Sequence, residues 1–382
     1  MRRIVLKPGR ERSVLNGHPW IFSGAIQGEG SSATEEVEVA NAKGEIIGKG
    51  VYSPASMIRV RLLKGNAGEL IRQATGRRTI APNGGARLVN AENDGIPGFT
   101  ADWYAGNIVC QFTSALAEYY RDEIVDALKK ISGTKGISER LDNESRKKEG
   151  MSTEPKWRMV WGEAPPELTE IVENGIKFLV DVRTGHKTGF YLDQREARKA
   201  VGAMAQGRSV LNCFSYTGGF GIYAAKNGAK EVTQVDLSAG ALELARKNAE
   251  INGVRCETVM ADVFKYLRSC RDAGKKFGMI ILDPPKFAES KGQLMKAARG
   301  YKDINLLAMK LLEEGGILAT FSCSRAMTPE FFDKILMEAA ADAKRGFQIV
   351  RRTGQADDHP VSLGFPEGLY LKGVILSEYQ HL

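Results

Sequence analysis

The chain has 382 residues, and its 54 Lys and Arg against 46 Asp and Glu give a formal net charge of +8. This length exceeds one ordinary hydrophobic core, so we expect two or three domains. The contents of 43% apolar and 26% charged residues are those of a soluble protein, and no apolar run is long enough to span a membrane. The positive charge is compatible with an anionic partner but does not require one.

Cysteine usage limits both the chemistry and the compartment. The five cysteines are Cys110, Cys213, Cys256, Cys270 and Cys323, and no two of them form a C-x-x-C pair. The four histidines follow no ligand spacing either, so the pattern indicates neither a metal site nor a disulfide framework. Because the N-terminus also lacks a signal-peptide core, we expect a protein of the reducing cytoplasm.

Residues 1–75 are predicted to form a small β-rich module. Short segments at Glu36–Ala40, Glu45–Tyr52 and Met57–Leu63 are separated by Gly, Asn and Pro, which favours strands joined by turns. The segment Gly76–Ala86 is rich in turn residues and is predicted to be a linker. The basic residues of the module are Arg2, Arg3, Lys7, Arg10, Arg12, Arg59 and Arg61.

Residues 76–195 are predicted to form a central α+β domain. The spacing of apolar residues predicts an amphipathic helix over Tyr119–Ile131. The charge run Arg146–Lys148 is typical of a solvated turn. Strands are expected at Gly98–Tyr104, Ile108–Thr113, Gly136–Glu139 and Ile176–Val182.

Strands alternate with helices in residues 196–382, which is the pattern of an α/β domain with a parallel sheet. Ser238 is a good N-cap for the helix after the second strand, and this helix is expected to end before Asn252. The predicted strands are Ser209–Cys213, Glu231–Asp236, Glu257–Ala261, Met279–Asp283 and Ile317–Ser322, followed by Phe347–Arg352 and Leu369–Ser377.

A glycine-rich turn after the first of these strands predicts a bound ligand. Glycines at a strand-to-helix turn let a ligand approach the backbone, although a tight turn alone also requires them. Asp236 ends the next strand, 17 residues after Gly219, where a carboxylate can accept hydrogen bonds from ribose hydroxyls. Asp262 follows the third strand, where it would meet an adenine amino group. The candidate cofactor residues of the turn are Asn212, Phe214, Tyr216, Thr217, Gly218 and Gly219.

Nucleotide dehydrogenases share this layout. Their fingerprint is G-x-G-x-x-G, with the pyrophosphate at a helix N-terminus. Here the glycines of Gly218–Gly221 follow the order G-G-x-G, and the turn carries the bulky Phe214, Tyr216 and Phe220. A longer and bulkier turn suits a cofactor without phosphates, so S-adenosylmethionine is favoured over NAD.

Two predicted buried strands end on side chains of complementary chemistry. Asp283 is followed by Pro284 and Pro285, and Cys323 ends another strand 40 residues later. Ligands of open α/β sheets bind beyond the carboxyl ends of the strands, so both side chains are expected to face one pocket. A thiol and a carboxylate in one pocket suit covalent attack on a pyrimidine ring followed by methyl transfer. The structural alternative for Cys323 is a small buried residue at a strand end.

These segments resemble the large-subunit (23S) ribosomal RNA methyltransferase I family, which makes 5-methylcytosine. The resemblance implies a Rossmann-like class I methyltransferase domain at 196–382, the central α+β domain, and an N-terminal PUA-like RNA-binding domain at 1–75. It also implies S-adenosylmethionine as cofactor and a cytoplasmic homodimer that acts on 23S ribosomal RNA. The matching segments are Lys187–Arg195, Asn212–Phe220, Asp283–Phe287, Gly300–Asn305, Phe321–Ser324 and Pro366–Lys372, with shorter matches at His18–Phe22 and Gly48–Tyr52.

Each candidate catalytic residue has an expected role in this reaction. Cys323 would add to carbon 6 of cytosine, and Asp283 would hold the N3 and amino edge that distinguishes cytosine from uracil. Pro284 would fix the backbone beside the base. Lys286 would contact phosphate, position the substrate or stay solvated. Many related RNA enzymes carry a second cysteine at the position of Lys286, so the base that removes the carbon 5 proton is left open.

Two further segments are given expected roles. The resemblance places Gln194 and Arg195 in the cofactor pocket, where Arg195 would meet the methionine carboxylate; a surface pair with Glu196 is the alternative. The segment Ala288–Lys302 is predicted to be an RNA-facing flap in which Tyr301 stacks on a base, with a charged surface helix as the alternative. The cations of this segment are Lys291, Lys296, Arg299 and Lys302.

Two rival functions compete with cytosine methylation. A guanine-N methyltransferase on the same scaffold would need no thiol at the second strand end, so Cys323 argues against it. An RNA-binding assembly factor with a vestigial pocket would not need these side chains, so the presence of Asp236, Asp262, Asp283 and Cys323 argues against that function.

Overall fold

The computed structural model describes residues 1–28, 30–141, 144–287 and 291–379. No helix in these ranges is both long and apolar enough to cross a membrane. The chain divides into two compact units. Unit 1 comprises Met1–Ile171, Val180–Leu192 and Asp357–Gly368, and unit 2 comprises Val172–Leu179, Asp193–Ala356 and Leu369–Leu382.

A five-stranded sheet opens unit 1, in the order β1-β3-β4-β5-β2. Its core follows the period of a strand, because Val37 and Val39 are fully buried whereas the alternating Glu36 and Glu38 are partly exposed. The three predicted strands are confirmed, each with bounds shifted by one residue. The elements are β1 Arg2–Val5, α1 Arg12–Leu15, β2 Trp20–Phe22, β3 Glu35–Ala40, β4 Ile46–Tyr52 and β5 Ile58–Leu62.

The second sheet of unit 1 has the order β10-β9-β8-β7-β6. The helix predicted over Tyr119–Ile131 is confirmed as α4 Arg121–Lys129, and a separate helix, α3 Ala115–Tyr119, precedes it. The hydroxyl of Ser114 caps α3 by accepting from Ala117 N at 3.1 Å. The predicted division of unit 1 into residues 1–75 and a central domain stays a prediction. The elements are α2 Ala67–Gly76, β6 Gly85–Asn90, β7 Phe99–Tyr104, β8 Asn107–Phe112, α3 Ala115–Tyr119, α4 Arg121–Lys129, β9 Gly136–Arg140, α5 Glu144–Lys148 and β10 Trp157–Gly162; β11 Thr169–Glu173 and β12 Ile176–Val180 then pair with each other.

Arg61 and Arg146 of unit 1 lie inside it rather than on its surface. Arg61 is buried and pairs with the buried Glu149 at 2.8 Å. Arg146 is 4% exposed in helix α5 and donates to the Ser152 carbonyl at 2.6 Å. The prediction of a solvated turn at Arg146–Lys148 is therefore wrong for Arg146, which tertiary contacts bury, and wrong in the kind of element, which is a helix. Lys147 and Lys148 are exposed, as predicted.

Unit 2 contains a seven-stranded sheet in the order β15-β14-β13-β16-β17-β19-β18. The first five of these strands are parallel, and β19 is antiparallel to both of its neighbours. The elements are α6 Arg195–Gly202, β13 Ser209–Cys213, α7 Gly219–Lys226, β14 Glu231–Asp236, α8 Ala239–Ile251, β15 Glu257–Met260, α9 Val263–Asp272, β16 Phe277–Leu282, α10 Leu294–Leu311, β17 Leu312–Ser322, α11 Pro329–Ala343, β18 Gly346–Thr353 and β19 Lys372–Tyr379.

The strand order places the site of unit 2. Strands β13, β14 and β15 run outward in one direction and β16 and β17 in the other, so the order reverses between β13 and β16. Ligands of open α/β sheets bind beyond the carboxyl ends of the strands at such a switch point.

Helix α8 also follows the prediction. The Ser238 hydroxyl accepts from Ala241 N at 3.2 Å and so caps the start of the helix, and Asn252 is the C-cap.

Candidate active site

Five parallel strands bring the candidate residues of unit 2 to one edge of the sheet. In the order of the strands, the segments that follow their carboxyl ends carry Asp262, Asp236, the turn 214–219, Asp283 and Cys323. The register pairs Leu282 of β16 with Thr320 of β17, so the two strands end within a few residues of each other. The three acids and Cys323 are all partly exposed. The structure therefore brings together the carboxylates and the thiol that the sequence analysis selected.

Asp236 holds the turn that follows β13. One carboxylate oxygen accepts from Tyr216 N at 2.8 Å, and the other accepts from Ser238 N at 2.9 Å. Phe214 and Tyr216 have φ angles of +57° and +48°, a left-handed conformation that side-chain-bearing residues rarely adopt. Each such residue costs on the order of 1–3 kcal/mol and persists only where its surroundings enforce it. The turn is thus shaped by Asp236 into a geometry that local propensity would not select.

The glycines of the turn also have a packing role. Gly218 has a φ angle of +86°, and a Cβ on it would lie 2.7 Å from Oε1 of Gln234. A Cβ on Gly221 would lie 2.9 Å from the side chain of the same Gln234. Both glycines therefore leave room for the buried Gln234 side chain, whether or not a ligand is bound.

Replacing Gly218 with alanine is expected to destabilise the protein by about 1–3 kcal/mol, since the substitution adds left-handed strain to a steric clash. The free energy of unfolding in denaturant is the measurement. Gly240→Ala is the matched control, because Gly240 lies in helix α8 and a Cβ on it would meet no atom within 4 Å. There we expect a neutral or slightly stabilising change. Equal effects of the two substitutions would contradict the packing argument.

The pocket contains buried polar atoms that fit a polar ligand. Among the described residues of this region, four side-chain oxygens are buried and have no hydrogen-bond partner: Gln194 Oε1, Asn212 Oδ1, Ser215 Oγ and Thr217 Oγ1. Buried polar groups are nearly always paired, so several orphans in one place indicate a missing partner. All four lie at or next to the turn after β13 or at the start of α6. A nucleoside cofactor with ribose and amino groups supplies the required hydrogen-bonding partners.

Gln194 links the start of α6 to the segment that follows β16. It is 3% exposed, and its Nε2 donates to Oδ1 of Asp283 at 3.1 Å. Pro284 is buried, whereas Lys286 is exposed. The Arg195 guanidinium lies 3.4 Å from Glu196, which is the surface pair anticipated as the alternative for this residue. Gln194 is therefore placed to hold one carboxylate oxygen of Asp283, and its role in cofactor binding stays a prediction, as does that of Arg195.

Asp262 serves as a helix cap. Its Oδ1 accepts from Lys265 N at 3.0 Å, and it is the N-cap of α9. This contact engages only part of the carboxylate, which can accept several hydrogen bonds. The predicted contact with an adenine amino group stays a prediction.

Cys323 differs from the other cysteines in its surroundings. Cys110, Cys213 and Cys270 are buried, and burial raises the pKa of each of these thiols. Burial also raises the pKa of Cys256 to about 11. Cys323 is partly exposed at the end of β17, between the fully buried Ser322 and Ser324. A partly exposed thiol at a strand end is accessible for nucleophilic attack.

Tyr301 is a buried neighbour of the two catalytic candidates. It is 0% exposed and packs with its ring centroid 4.8 Å from that of Phe287 and 5.6 Å from that of Phe332. Burial raises its pKa to about 12; Ser322 and Ser324 oppose this shift, and the charges of Cys323 and Asp283 add to it. The predicted stacking of Tyr301 on an RNA base is therefore wrong. The phenol instead lies close to both the thiol and the carboxylate.

The predicted flap is largely a helix. Residues Ala288–Ser290 lie outside the described residues, and α10 occupies Leu294–Leu311. Lys302 contacts Glu338 at 3.4 Å and Asp342 at 3.0 Å, both on α11, so it is engaged by protein carboxylates. Lys296 and Arg299 are exposed. The alternative of a charged surface helix is thus confirmed from Leu294 to Lys302, and the contact of this segment with RNA stays a prediction.

Lys372 has no role in the sequence analysis, yet it lies beside Cys323. It begins β19, and the register pairs it with Ser322. It is 7% exposed, and its Nζ donates to the Ser324 carbonyl at 2.7 Å. The sequence could have indicated that Lys372 is unusual, because it directly precedes the apolar run Gly373–Leu376 and lysine is rare in buried strands.

Comparison with known proteins identifies the family. A family model described as an S-adenosylmethionine-dependent methyltransferase matches residues 97–363, and a model of a PUA-like domain matches residues 4–64. The protein named ribosomal RNA large subunit methyltransferase I from Shewanella denitrificans is 49% identical, with 98% of each chain covered. The protein of the same name from Aeromonas salmonicida is 48% identical with the same coverage. This chain belongs to the ribosomal RNA large subunit methyltransferase I family.

Solved structures that share this fold align over almost the whole of the chain. A structure described as an S-adenosylmethionine-dependent methyltransferase from Streptococcus mutans has a TM-score of 0.84 at 23% identity, covering 99% of this chain and 100% of the other. A second methyltransferase, solved in complex with SAH, has a TM-score of 0.83 at 23% identity with the same coverage. The predicted fold class and the cofactor, S-adenosylmethionine, are confirmed. The PUA-like N-terminal domain is confirmed as well.

Proposed function

We propose that this enzyme makes 5-methylcytosine in 23S ribosomal RNA through a covalent adduct between Cys323 and carbon 6 of the target base. The names of its relatives, at 48–49% identity over 98% of the chain, support ribosomal RNA of the large subunit as the substrate. The choice of cytosine rests on the Cys323 thiol. This thiol is partly exposed, lies at the same edge of the sheet as Asp283, and has Tyr301 as a neighbour in common with Asp283.

The chemistry of cytosine explains the need for a thiol. Carbon 5 is too weak a nucleophile to take a methyl group directly. When the Cys323 thiolate forms a bond to carbon 6, the electron pair of the 5,6 double bond is released toward carbon 5 and the N3 side of the ring. S-adenosylmethionine, when bound, supplies an electrophilic methyl group for carbon 5. Loss of the carbon 5 proton then restores the double bond, and the sulfur–carbon 6 bond breaks to return the thiolate.

Asp283 would act on the polar edge of the base. Its carboxylate would accept from the amino group and favour a proton on N3, which makes carbon 6 more electrophilic. Gln194 holds one carboxylate oxygen at 3.1 Å and so orients the other. The buried Pro284 fixes the backbone that carries this carboxylate, and the exposed Lys286 is available to the RNA backbone.

The cofactor would be held by the residues around the switch point. Asp236 would receive the ribose hydroxyls and Asp262 the adenine amino group, while Gln194 and Arg195 would complete the pocket at the start of α6. Support comes from the orphan oxygens of this region and from the turn geometry that Asp236 enforces. The turn residues in the proposed cofactor set are Asn212, Phe214, Tyr216, Thr217, Gly218 and Gly219.

Tritium release distinguishes cytosine methylation from guanine methylation. Large-subunit RNA transcribed with tritium on carbon 5 of cytidine should lose tritium to water as methyl groups are incorporated, in a ratio near one to one. A guanine-N methyltransferase would incorporate methyl groups and release none, and an assembly factor without activity would do neither. Methyl incorporation without tritium release would overturn the proposal. The homodimer and the cytoplasmic location stay predictions.

A further inference from the structure

Lys372 is a buried cation that the proposed reaction leaves without a role. It is 7% exposed, and its strand β19 lies beside β17, which ends one residue before Cys323. Lysine is almost never fully buried unless it has a partner. Its place beside the nucleophile therefore calls for an explanation beyond the packing of the sheet.

Two backbone carbonyls hold the amine in one place. Nζ donates to the carbonyls of Ser324 and Tyr370, each at 2.7 Å. The Tyr370 hydroxyl in turn donates to Asp193 at 2.6 Å, which anchors this segment. An ammonium group has three hydrogens, so the two carbonyls leave one for a further acceptor. The Ser324 carbonyl belongs to the residue directly after Cys323, so the amine is fixed at the end of the strand that carries the thiol.

Cys323 is the charged group that acts electrostatically on Lys372. Burial lowers the pKa of Lys372 to about 8, and the charge of Cys323 opposes this shift. Asp333 and Arg352 line the same cavity of about 170 Å³ as Lys372, but they pair with each other at 2.8 Å. Tyr301, on α10, and Asp283 are further titratable groups on this side of the sheet; burial raises the pKa of Tyr301 to about 12, so the phenol is neutral at physiological pH.

We propose that Lys372 is a positioning residue that stabilises the Cys323 thiolate. The thiol proton leaves Sγ for solvent water, which reaches the partly exposed Cys323, and the ammonium group of Lys372 stabilises the thiolate that remains. The sulfur electron pair is then available to form the bond to carbon 6, and the ammonium group stays to receive the thiolate again when that bond breaks. This inference rests on the proposed function, because it assigns the activation of the same nucleophile.

The mechanism uses the two hydrogen bonds of Lys372 and its positive charge. The carbonyls of Ser324 and Tyr370 keep the amine in place, and its charge, which they do not neutralise, acts on the sulfur. A purely structural lysine would serve only the first purpose. The two possibilities differ in one measurable property, the pH at which the thiol of Cys323 ionises.

Lys372→Gln separates these possibilities, because an amide can still donate to both carbonyls but carries no charge. The rate of alkylation of Cys323 by iodoacetamide is followed by peptide mass spectrometry from pH 5 to pH 10, on the full chain without RNA. We expect the midpoint of the pH profile to rise by about 1 unit or more, so that the rate at pH 7 falls about tenfold. Lys372→Arg, which keeps a positive charge, should retain a midpoint below that of Lys372→Gln.

Lys334→Met is the matched control, since Lys334 is exposed on α11 of the same unit. Its alkylation midpoint should equal that of the wild-type chain. Circular dichroism and calorimetric titration with S-adenosylmethionine verify that each variant is folded, and Lys372→Met replaces Lys372→Gln if the amide variant is not. An unchanged midpoint in the folded, uncharged variant would overturn the role of Lys372.

The alkylation experiment is independent of the proposed reaction. It reports the ionisation of one thiol and needs neither RNA nor methyl transfer. A raised midpoint in Lys372→Gln, combined with normal methylation by a Cys323→Ala enzyme, would remove the covalent mechanism but leave the ion pair. An unchanged midpoint, combined with tritium release by the wild-type enzyme, would remove the ion pair but leave cytosine methylation.

Discussion

Cys323→Ala is expected to lower the rate of methyl transfer to RNA by on the order of 10⁴-fold or more, because removal of a covalent nucleophile leaves only binding and orientation. The measurement is incorporation of labelled methyl groups into large-subunit RNA under single-turnover conditions. Cofactor affinity, measured by calorimetry, should change little, since the thiol lies at the end of β17 and not in the turn after β13. A variant that methylates at nearly the wild-type rate would contradict the mechanism.

Cys256→Ala is the matched control. Cys256 is the other partly exposed cysteine, but it stands directly before β15 and hence at the amino end of a parallel strand, the edge opposite the site. Its removal should leave the rate of methyl transfer within about twofold of wild type, as expected for a substitution away from the site. Loss of activity in both variants would point to a general effect of cysteine removal rather than to a nucleophile.

A trapped adduct would show the sulfur–carbon bond itself. RNA with fluorine on carbon 5 of cytosine can accept the thiolate and the methyl group, but fluorine cannot leave as a cation, so the final elimination is blocked. We expect a protein–RNA complex that survives denaturing electrophoresis with the wild-type enzyme and is absent with Cys323→Ala. A complex of equal yield with both proteins would place the covalent bond elsewhere.

The sheet of unit 2 could be predicted from the sequence because its signals are local. Strands such as β13 and β16 are short apolar runs, and each ends at a polar side chain or a glycine-rich turn. In a parallel sheet, the carboxyl ends of all strands meet at one edge. The grouping of Asp236, Asp283 and Cys323 therefore followed from the order of strands alone.

What the sequence did not predict depends on contacts between distant segments. Tyr301 is buried because Phe287 and Phe332 enclose it, and neither contact is encoded in the charged sequence around it. Arg146 is buried by its tertiary contacts rather than by its own charge run. Lys372 stands 49 residues after Cys323, and only the antiparallel insertion of β19 beside β17 brings the two together. Local patterns carry no information on such pairings.

Asp283→Asn is the substitution with the second largest expected effect. Asparagine keeps an oxygen that can accept from Gln194 Nε2, as Oδ1 of Asp283 does at 3.1 Å, but it puts an amide group in place of the second carboxylate oxygen. It can neither carry a negative charge nor favour a proton on N3 of the base. We expect the rate of methyl transfer to fall by roughly 10²–10³-fold, the cost of losing one aligned electrostatic group.

The control for this substitution is Asp303→Asn. Asp303 pairs with Arg268 at 2.7 Å on the surface of the same unit, so the charge change is the same and the site is untouched. Its rate should stay near wild type, because a surface ion pair contributes little. Tritium release from labelled RNA at saturating S-adenosylmethionine measures both variants. A rate for Asp283→Asn close to that of Asp303→Asn would remove Asp283 from the reaction.

The base preference of Asp283→Asn tests the role of the carboxylate more sharply than the rate does. A carboxylate only accepts hydrogen bonds, which matches the amino group of cytosine and a protonated N3 but repels the carbonyl on carbon 4 of uracil. An amide can donate to that carbonyl and accept from N3–H, so the variant should lose part of its preference for cytosine. The ratio of tritium release from RNA labelled on cytidine to that from RNA labelled on uridine should therefore fall. An unchanged ratio would mean that another group reads the base, and the carboxylate would then act on the reaction through its charge alone.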